Sequence, residues 1–569
     1  MTVCLCAAFS VQAQTPFLRK RGSATQLYVH GRPMLILGGE LHNSSTSSVE
    51  YMESIWPVMK AMNYNTVLAP VSWENIEPAE GVFDFTLVDA MLKGARKENL
   101  KLVLLWFGSW KNGGSIYMPS WVKKDFRRFP RAKDSTGVSI EILSAFSDEN
   151  MKADARAFRA LMKHLREIDS QDNTVLMMQV ENEAGILNTP RDYSSQAQAL
   201  FNGPIPEELS QYLEKKGTVL TSDLLKVWKA NGSRIRGTWE EVFGVGKKGD
   251  PQSRWEYQWR DMYYYTEELF MAYYYARYMG YVAAEGKKEY VIPMYVNAWL
   301  KSPDQPWTGL HPGGGPLPNV MDMYHCAAPA IDFLSPDIYV AHFTEIVEWY
   351  NQSENPLFIP ETRGGTIGAD RLLWAIGEHN LMGFSPFGVD GRRSPERPLP
   401  MADPLDPLSF AYGLLQGMAS VVLSYQGTGK MRGMFLDQDN TRTSFTLGDY
   451  TVTADLYSRS SPVPAGGLLA AANTPPRRNN VSGGGFIIWL GGDEYLVFGR
   501  NLNVRFIPAT PGKLPLAGID RVYEGIFRNG EWIRGRLLNG DETHCSTFSG
   551  TGLKMPGMSI QKILLYRYK

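Results

Sequence analysis

The sequence is poor in cysteine. Of four cysteines in 569 residues, Cys4 and Cys6 fall in the opening apolar stretch, which leaves Cys326 and Cys545. Those two are distant and lack metal-ligand spacing, so free buried thiols are expected in place of a disulfide framework. An excess of one charge is also missing: 58 Lys and Arg face 59 Asp and Glu, for a net charge of −1. Nothing basic therefore points to nucleic acid or an anionic membrane surface. No uninterrupted apolar stretch has the length of a bilayer span, so membrane insertion is not expected. The eight histidines show no His-Glu-x-x-His arrangement, and there is no phosphate-cradling loop or nucleophile-elbow serine. Asp437-x-Asp439-Asn440 lacks the glycine and closing Glu of a calcium loop and reads as a turn. The sequence calls for no metal and no cofactor.

What is present begins with Met1–Gln14, where Val11-Gln12-Ala13 before Gln14 has the small-residue pattern of a signal-peptide cleavage site, although a cationic start is missing. Residues 1–13 are expected to be a signal remnant, with export to the periplasm or the outside of a bacterium. The length calls for two or three domains. Aromatics are abundant, with 15 Trp and 28 Tyr, and suit either a large core or the stacking faces of a sugar cleft.

Along the chain, short apolar runs alternate with helical spacing. Met34–Asn43 reads as a strand, and Ser47-x-x-Glu50 as a capping box. Met52, Ile55, Trp56 and Met59 follow at the spacing of a one-faced helix. Strands are expected near 65–69, 102–107, 174–183, 291–299, 331–339, 356–361 and 381–387, with helices between several of them. This alternation predicts a (β/α)8 TIM barrel over residues 14–428, with a helical insertion near 202–249. The tyrosine-rich helix from Trp255 to Ala284 is expected to pack in the outer layer. Beyond about residue 430 short alternating runs take over, and Asn529-Gly530 between two of them is a hairpin turn signal. Residues 429–569 are predicted to form an all-β, sandwich-like domain.

Two strands end in acids. Thr174–Val180 is a continuous apolar run that finishes in Glu181-Asn182-Glu183, and Pro356–Pro360 finishes in Glu361. An unpaired buried carboxylate is costly, so packing alone does not put acids there. Cleaving a glycosidic bond needs one carboxyl group to protonate the leaving oxygen and another on the opposite side of the sugar. A barrel brings its fourth and seventh strand ends together, where the strand count puts Glu183 and Glu361. The plain alternative for the pair is a structural ion pair, and for Glu181 a structural partner is the better reading.

With these acids stand Trp73-x-x-x-Glu77-Pro78-x-x-Gly81-x-Phe83-Asp84-Phe85, Asn112-Gly113-Gly114, Pro119-x-Trp121, and Gly314 through Ser335-Pro-Asp-Ile-Tyr339. In this order the motifs resemble the clan of retaining (β/α)8 glycosidases, and within it the glycoside hydrolase family 35 β-galactosidases with a β-rich C-terminal domain. The resemblance covers about residues 25–425. It implies a retaining exo-β-galactosidase with Glu183 as acid/base, Glu361 as nucleophile, Asn182 on the sugar 2-hydroxyl and Tyr339 orienting Glu361. It also implies a carbohydrate with terminal β-galactose as the partner. The chain departs from the family at His42-Asn43, where His-Tyr is usual, and at Gly108-Ser109-Trp110, where Ala-Glu-Trp is usual. Glu40, Glu77, Asn112, Asn297, Trp299 and Phe387 are then the candidates for substrate binding in place of that carboxylate. Each has a loop anchor or core position as its alternative, and Arg363 is either a tuner of Glu361 or half of an ion pair. Two other functions stay open: hydrolysis of a β-glucoside, β-mannoside or arabinopyranoside, and a catalytically silent carbohydrate-binding protein. For the C-terminal domain, glycan binding, shaping the active-site rim and homodimerisation all stay open.

Overall fold

The computed structural model describes residues 14–245, 265–302, 304–352, 354–391, 403, 406–457, 481–510, 512–546 and 550–569. The expected signal segment and the start of the tyrosine-rich helix lie outside them. Eight strands close a barrel in sequence order. They are β1 (Ile36–Glu40), β2 (Thr66–Ser72), β3 (Lys101–Lys111), β4 (Val175–Asn182), β5 (Met294–Trp299), β6 (Phe333–Ile338), β7 (Phe358–Thr362) and β8 (Gly383–Pro386). Every pairing around the ring is parallel. Being buried on both faces, these strands read as unbroken apolar runs in place of an alternation. Their inner side chains, among them Leu68, Leu105, Tyr295, Phe333 and Phe358, fill the barrel, and Leu27 and Val29 of a short N-terminal sheet join that cluster.

The helices form the outer layer. Val49–Ala61 buries Met52, Ile55, Trp56 and Met59, the residues expected from spacing. Its cap is Ser48 and not Ser47: the Ser48 hydroxyl accepts from the Tyr51 N–H at 3.3 Å. The expected insertion is helical, with Ser195–Asn202, Glu207–Lys216, Ser222–Ala230 and Trp239–Phe243. The tyrosine-rich helix Tyr265–Lys287 packs in the outer layer against Asp148–Asp169. Helix Pro407–Tyr425 corrects one expectation, since it is long and apolar enough to cross a bilayer. Here Leu408, Tyr412, Leu415, Met418 and Val422 are buried in the core shared with the barrel helices. Cys326 is a free, half-buried thiol.

The C-terminal region is a sandwich of a six-stranded and a five-stranded antiparallel sheet. Its hairpin turns at Asn529-Gly530, both with positive φ (51° and 84°), as the dipeptide predicts. Helix Gly365–His379 lies directly on the six-stranded sheet, and glycines make that approach feasible. A Cβ on Gly377 would stand 2.5 Å from Phe486 Cβ, one on Gly433 2.3 Å from the Trp374 carbonyl, and one on Gly484 2.3 Å from the Asp370 carbonyl. At the centre of this interface Arg500 grips the buried Asp370 with two hydrogen bonds of 3.0 and 2.5 Å, and Ser482 Oγ adds a third at 2.7 Å. Breaking one half of a buried pair strands the other charge. Asp370→Ala should therefore destabilise the protein by about 3–5 kcal/mol in chemical denaturation, and a loss under about 1 kcal/mol would mean that the contact is incidental.

Candidate active site

At the carboxyl ends of the strands, one carboxylate oxygen each from Glu183 (just past β4), Asp337 (β6) and Glu361 (β7) lie within 4.8 Å of one another. Glu40 at the end of β1 adds a fourth acid, near enough for the Glu361 charge to raise its pKa. The floor is nearly dry, with Glu40 1%, Asp337 3%, Glu183 6% and Glu361 7% exposed. β1 presents Glu40 as its last residue, and β6 and β7 present Asp337 and Glu361 one residue before theirs, all on buried strands. At β4 the backbone departs from extended geometry: Glu181 and Glu183 both take positive φ, 62° and 45°. Non-glycine residues hold that conformation only when the surroundings dictate it, and such positions cluster at functional sites.

The surroundings here are explicit. The Glu183 N–H donates to Asn297 Oδ1 at 3.0 Å, while Asn297 Nδ2 donates to Asp337 Oδ2 at 2.6 Å. Tyr339 Oη donates to Glu361 Oε1 at 2.5 Å. On β3, Lys111 Nζ donates to Asn182 Oδ1 at 2.8 Å. The next two backbone N–H groups, of Asn112 and Gly113, donate to the carbonyls of Asn182 and Glu183 at 3.2 and 3.1 Å.

Burial and mutual repulsion set the protonation states. Burial first, then the Glu361 charge, lift Glu183 to about 7; Lys111 and a hydrogen bond from Asp337 work the other way. Burial, then Glu361 and Glu183, hold Asp337 well above the usual carboxylate range. Glu40 is raised by burial and by Glu361, with Lys111 opposing. Like charges this close in a dry site cannot all ionise. The trio has the spacing of a cation site, and the Lys111 ammonium beside it already supplies positive charge to Glu183.

Most of the candidate residues converge on this floor: Glu40, Asn182, Glu183, Asn297, Tyr339 and Glu361. Asn297 holds the floor together, because its amide ties the Glu183 backbone to Asp337. Asn112 serves through its backbone and its side chain is exposed. Trp299, partly exposed, donates from its indole N–H to Gln305 Oε1 at 3.1 Å. Phe387 meets His42 edge-on at 5.2 Å. Glu77 belongs elsewhere: its oxygens accept from Trp73 Nε1 (2.9 Å), the Gly81 N–H (2.8 Å) and Arg156 (3.1 Å), so it anchors the loop after β2. Arg363 points outward.

Ser109 is fully buried and turned away from the floor, bonded to Asp154 at 2.6 Å and to Tyr278 at 2.7 Å. Asp154 in turn lies against Glu181, the structural acid expected from sequence, and burial raises the pKa of both. Two residues escaped the sequence reading. Asp337 lies inside the Ser335–Tyr339 motif, and as an acid ending a buried strand it carried the same signal as Glu361. Lys111 has no signal in sequence, since a lysine after a strand is ordinarily a solvated end.

Comparison with known proteins adds three observations. A family profile described as "Beta-galactosidase", of the glycoside hydrolase 42 type, matches residues 43–246. A profile described as a domain of unknown function matches residues 408–549. A β-galactosidase of Xanthomonas manihotis is 24% identical over 208 residues, which is 35% of this chain and 32% of that protein. The chain thus matches about a third of the length of this curated relative. Among solved structures, a β-galactosidase from Bacillus circulans sp. alkalophilus aligns with a TM-score of 0.44 at 16% identity, over 68% of this chain and 57% of its own. The catalytic domain of a β-amylase from Paenibacillus polymyxa gives 0.44 at 12%, over 67% and 98%. The matching profile is of the 42 type, where the motifs had led to family 35.

The charge arrangement predicts a titration. In infrared difference spectra of the protein against Glu183→Gln, a protonated carboxyl band should vanish with a midpoint near 7. Glu361→Gln removes the negative neighbour and should move that midpoint down; an unmoved midpoint would mean that the two acids do not sense each other.

Proposed function

We propose that this protein is a retaining, exo-acting β-galactosidase. The observation that carries the reading is the short separation of the Glu183 and Glu361 oxygens, at most 4.8 Å. Retaining glycosidases hold their two carboxyl groups about 5–5.5 Å apart, whereas inverting ones need about 6.5–9.5 Å to admit a water. Glu361, gripped by Tyr339, attacks the anomeric carbon while Glu183, held protonated near neutrality, gives its proton to the leaving oxygen. Once Glu361 is esterified its charge is gone, the strongest neighbouring-charge contribution to the raised Glu183 pKa disappears, and Glu183 becomes the base that activates water. Asp337 is the less exposed acid and is tied to Asn297, which favours Glu183 as the proton donor.

Floor acids that are nearly excluded from solvent suit the end unit of a chain, which supports exo action. The motif order supports a family 35 assignment within the clan, and the opening segment supports export. Galactose follows from the similarity to β-galactosidases over residues 43–246. A second reading, a related β-glycoside, draws on one feature: Glu40 and Lys111 face the floor where the resemblance calls for a carboxylate at Ser109.

A panel of aryl β-galactosides, glucosides, mannosides and arabinopyranosides tests the sugar, and proton NMR of the first product anomer tests the stereochemistry. The β-anomer should appear first from a β-galactoside, and an α-anomer would exclude Glu361 as nucleophile. Glu361→Gln should lose at least ~10³-fold in kcat while staying folded. Glu183→Gln should slow poor leaving groups far more than good ones, because only the former need the proton.

A further inference from the structure

β3 reaches the floor by an unusual route. Trp106 pairs with Val180 on β4, yet Lys111 pairs with Asn182, so five steps on β3 match two on β4. The surplus residues bulge, and their backbone is clamped from behind. The Trp110 N–H donates to Glu181 Oε2 at 2.7 Å and the Ser109 N–H to Asp154 Oδ2 at 3.1 Å. Gly108 sits where a Cβ would lie 2.3 Å from Trp106 Nε1 and 2.5 Å from Glu181 Oε1, so no side chain fits there. The buried Glu181–Asp154 pair thereby delivers Lys111, only 5% exposed, to the side of Asn182.

An ammonium can only donate, so the Asn182 atom that faces Lys111 is its oxygen. The amide nitrogen is then directed elsewhere, and Asn182 Nδ2 is buried with no protein partner. It is a donor held in place and left open for a ligand.

We propose that Lys111 is a positioning residue of the reaction. By fixing Asn182 with Nδ2 toward the glycon, it aims the contact to the hydroxyl beside the anomeric carbon, and it supplies the buried positive charge among the acids. This assignment rests on the glycosidase reading for its substrate. The groups that face Lys111 are Glu40 from β1, Asn182 and Glu183 from β4, the Phe107 ring 5.0 Å from Nζ, and Tyr117 in the following loop. Its charge lowers the pKa of both Glu40 and Glu183. A long, strongly hydrated side chain is an expensive choice for a dry floor unless its charge is used there.

Two variants separate the donor from the charge: Lys111→Met removes both, and Lys111→Gln keeps an N–H donor for Asn182. The substrates are an aryl β-galactoside and its 2-deoxy analogue. Lys111→Met should lose about 100-fold in kcat on the first, the scale of a charge-assisted contact made in the transition state. It should lose much less on the second, so that the wild-type preference for the 2-hydroxyl collapses, while KM moves little. Lys111→Gln should keep most of that preference. In both variants the Glu183 midpoint, read by infrared as above, should rise. An unchanged 2-hydroxyl preference in Lys111→Met overturns the positioning role, and an unchanged Glu183 midpoint in Lys111→Gln overturns the charge role. The infrared arm stands even if no aryl glycoside is turned over, a result that would refute the glycosidase reading alone.

Discussion

A nearly dry floor carrying four carboxyl groups and one ammonium is the constraint on which the rest of this molecule depends. Left to themselves, Glu40, Glu183, Asp337 and Glu361 would repel one another and be pulled apart by water. Burial forces a different solution, in which the pKa values of Glu40, Glu183 and Asp337 are raised and the Lys111 charge opposes that rise at Glu40 and Glu183. Such a state is stable only if each group is held in position by something other than its own charge. Tyr339 does this for Glu361, Asn297 for Asp337 and for the Glu183 backbone, and the clamped bulge of β3 does it for Lys111.

That requirement explains features of the fold that would otherwise look wasteful. Left-handed backbone at Glu181 and Glu183 is strained for residues with long side chains, and it is held by N–H groups of Trp110 and Gly113 that donate to these residues and by Asn297 Oδ1, which accepts from the Glu183 N–H. The Glu181–Asp154 pair is a second buried acid couple, placed behind the floor, and its function is to anchor the strand end that carries Lys111. The tyrosine-rich helix closes this region from outside, with the Tyr278 hydroxyl on Ser109. Farther out, glycines at 377, 433 and 484 let the β-sandwich press against helix Gly365–His379, which follows directly from β7. The sandwich therefore packs on the helix that follows β7, the strand that carries Glu361.

Much of the site was legible before any coordinates. The pairing of Glu183 with Glu361 followed from two apolar strands that end in acids, and the role of Tyr339 followed from family resemblance. Asp337 carried the same strand-end signal but sat inside a motif, where it passed as one of its fixed letters. Glu77 misled in the opposite direction: an acid in a family motif after β2 turned out to hold its own loop. Asn297 stands at the floor as expected, and its protein partners were not legible, because a side-chain amide at a strand end serves a neighbour as readily as a ligand. Ser109 marked a real departure, but a missing carboxylate does not announce what stands in its place.

Periodicity is a local property, and through it the sequence by itself determined the barrel, the β-rich tail, the helical insertion and the chain positions of the strand-end acids Glu183 and Glu361. Strand ends and helix faces depend on neighbours within a few residues, so they can be read from one chain. The identity of the ion that balances the floor could not be, and neither could the raised pKa values of its acids or the direction in which Asn182 points its amide. Those depend on which side chains from five different strands meet within a few ångströms, and on how little water remains between them. Charge interactions in a dry space are set by distance in three dimensions, and only closure of the barrel fixes those distances.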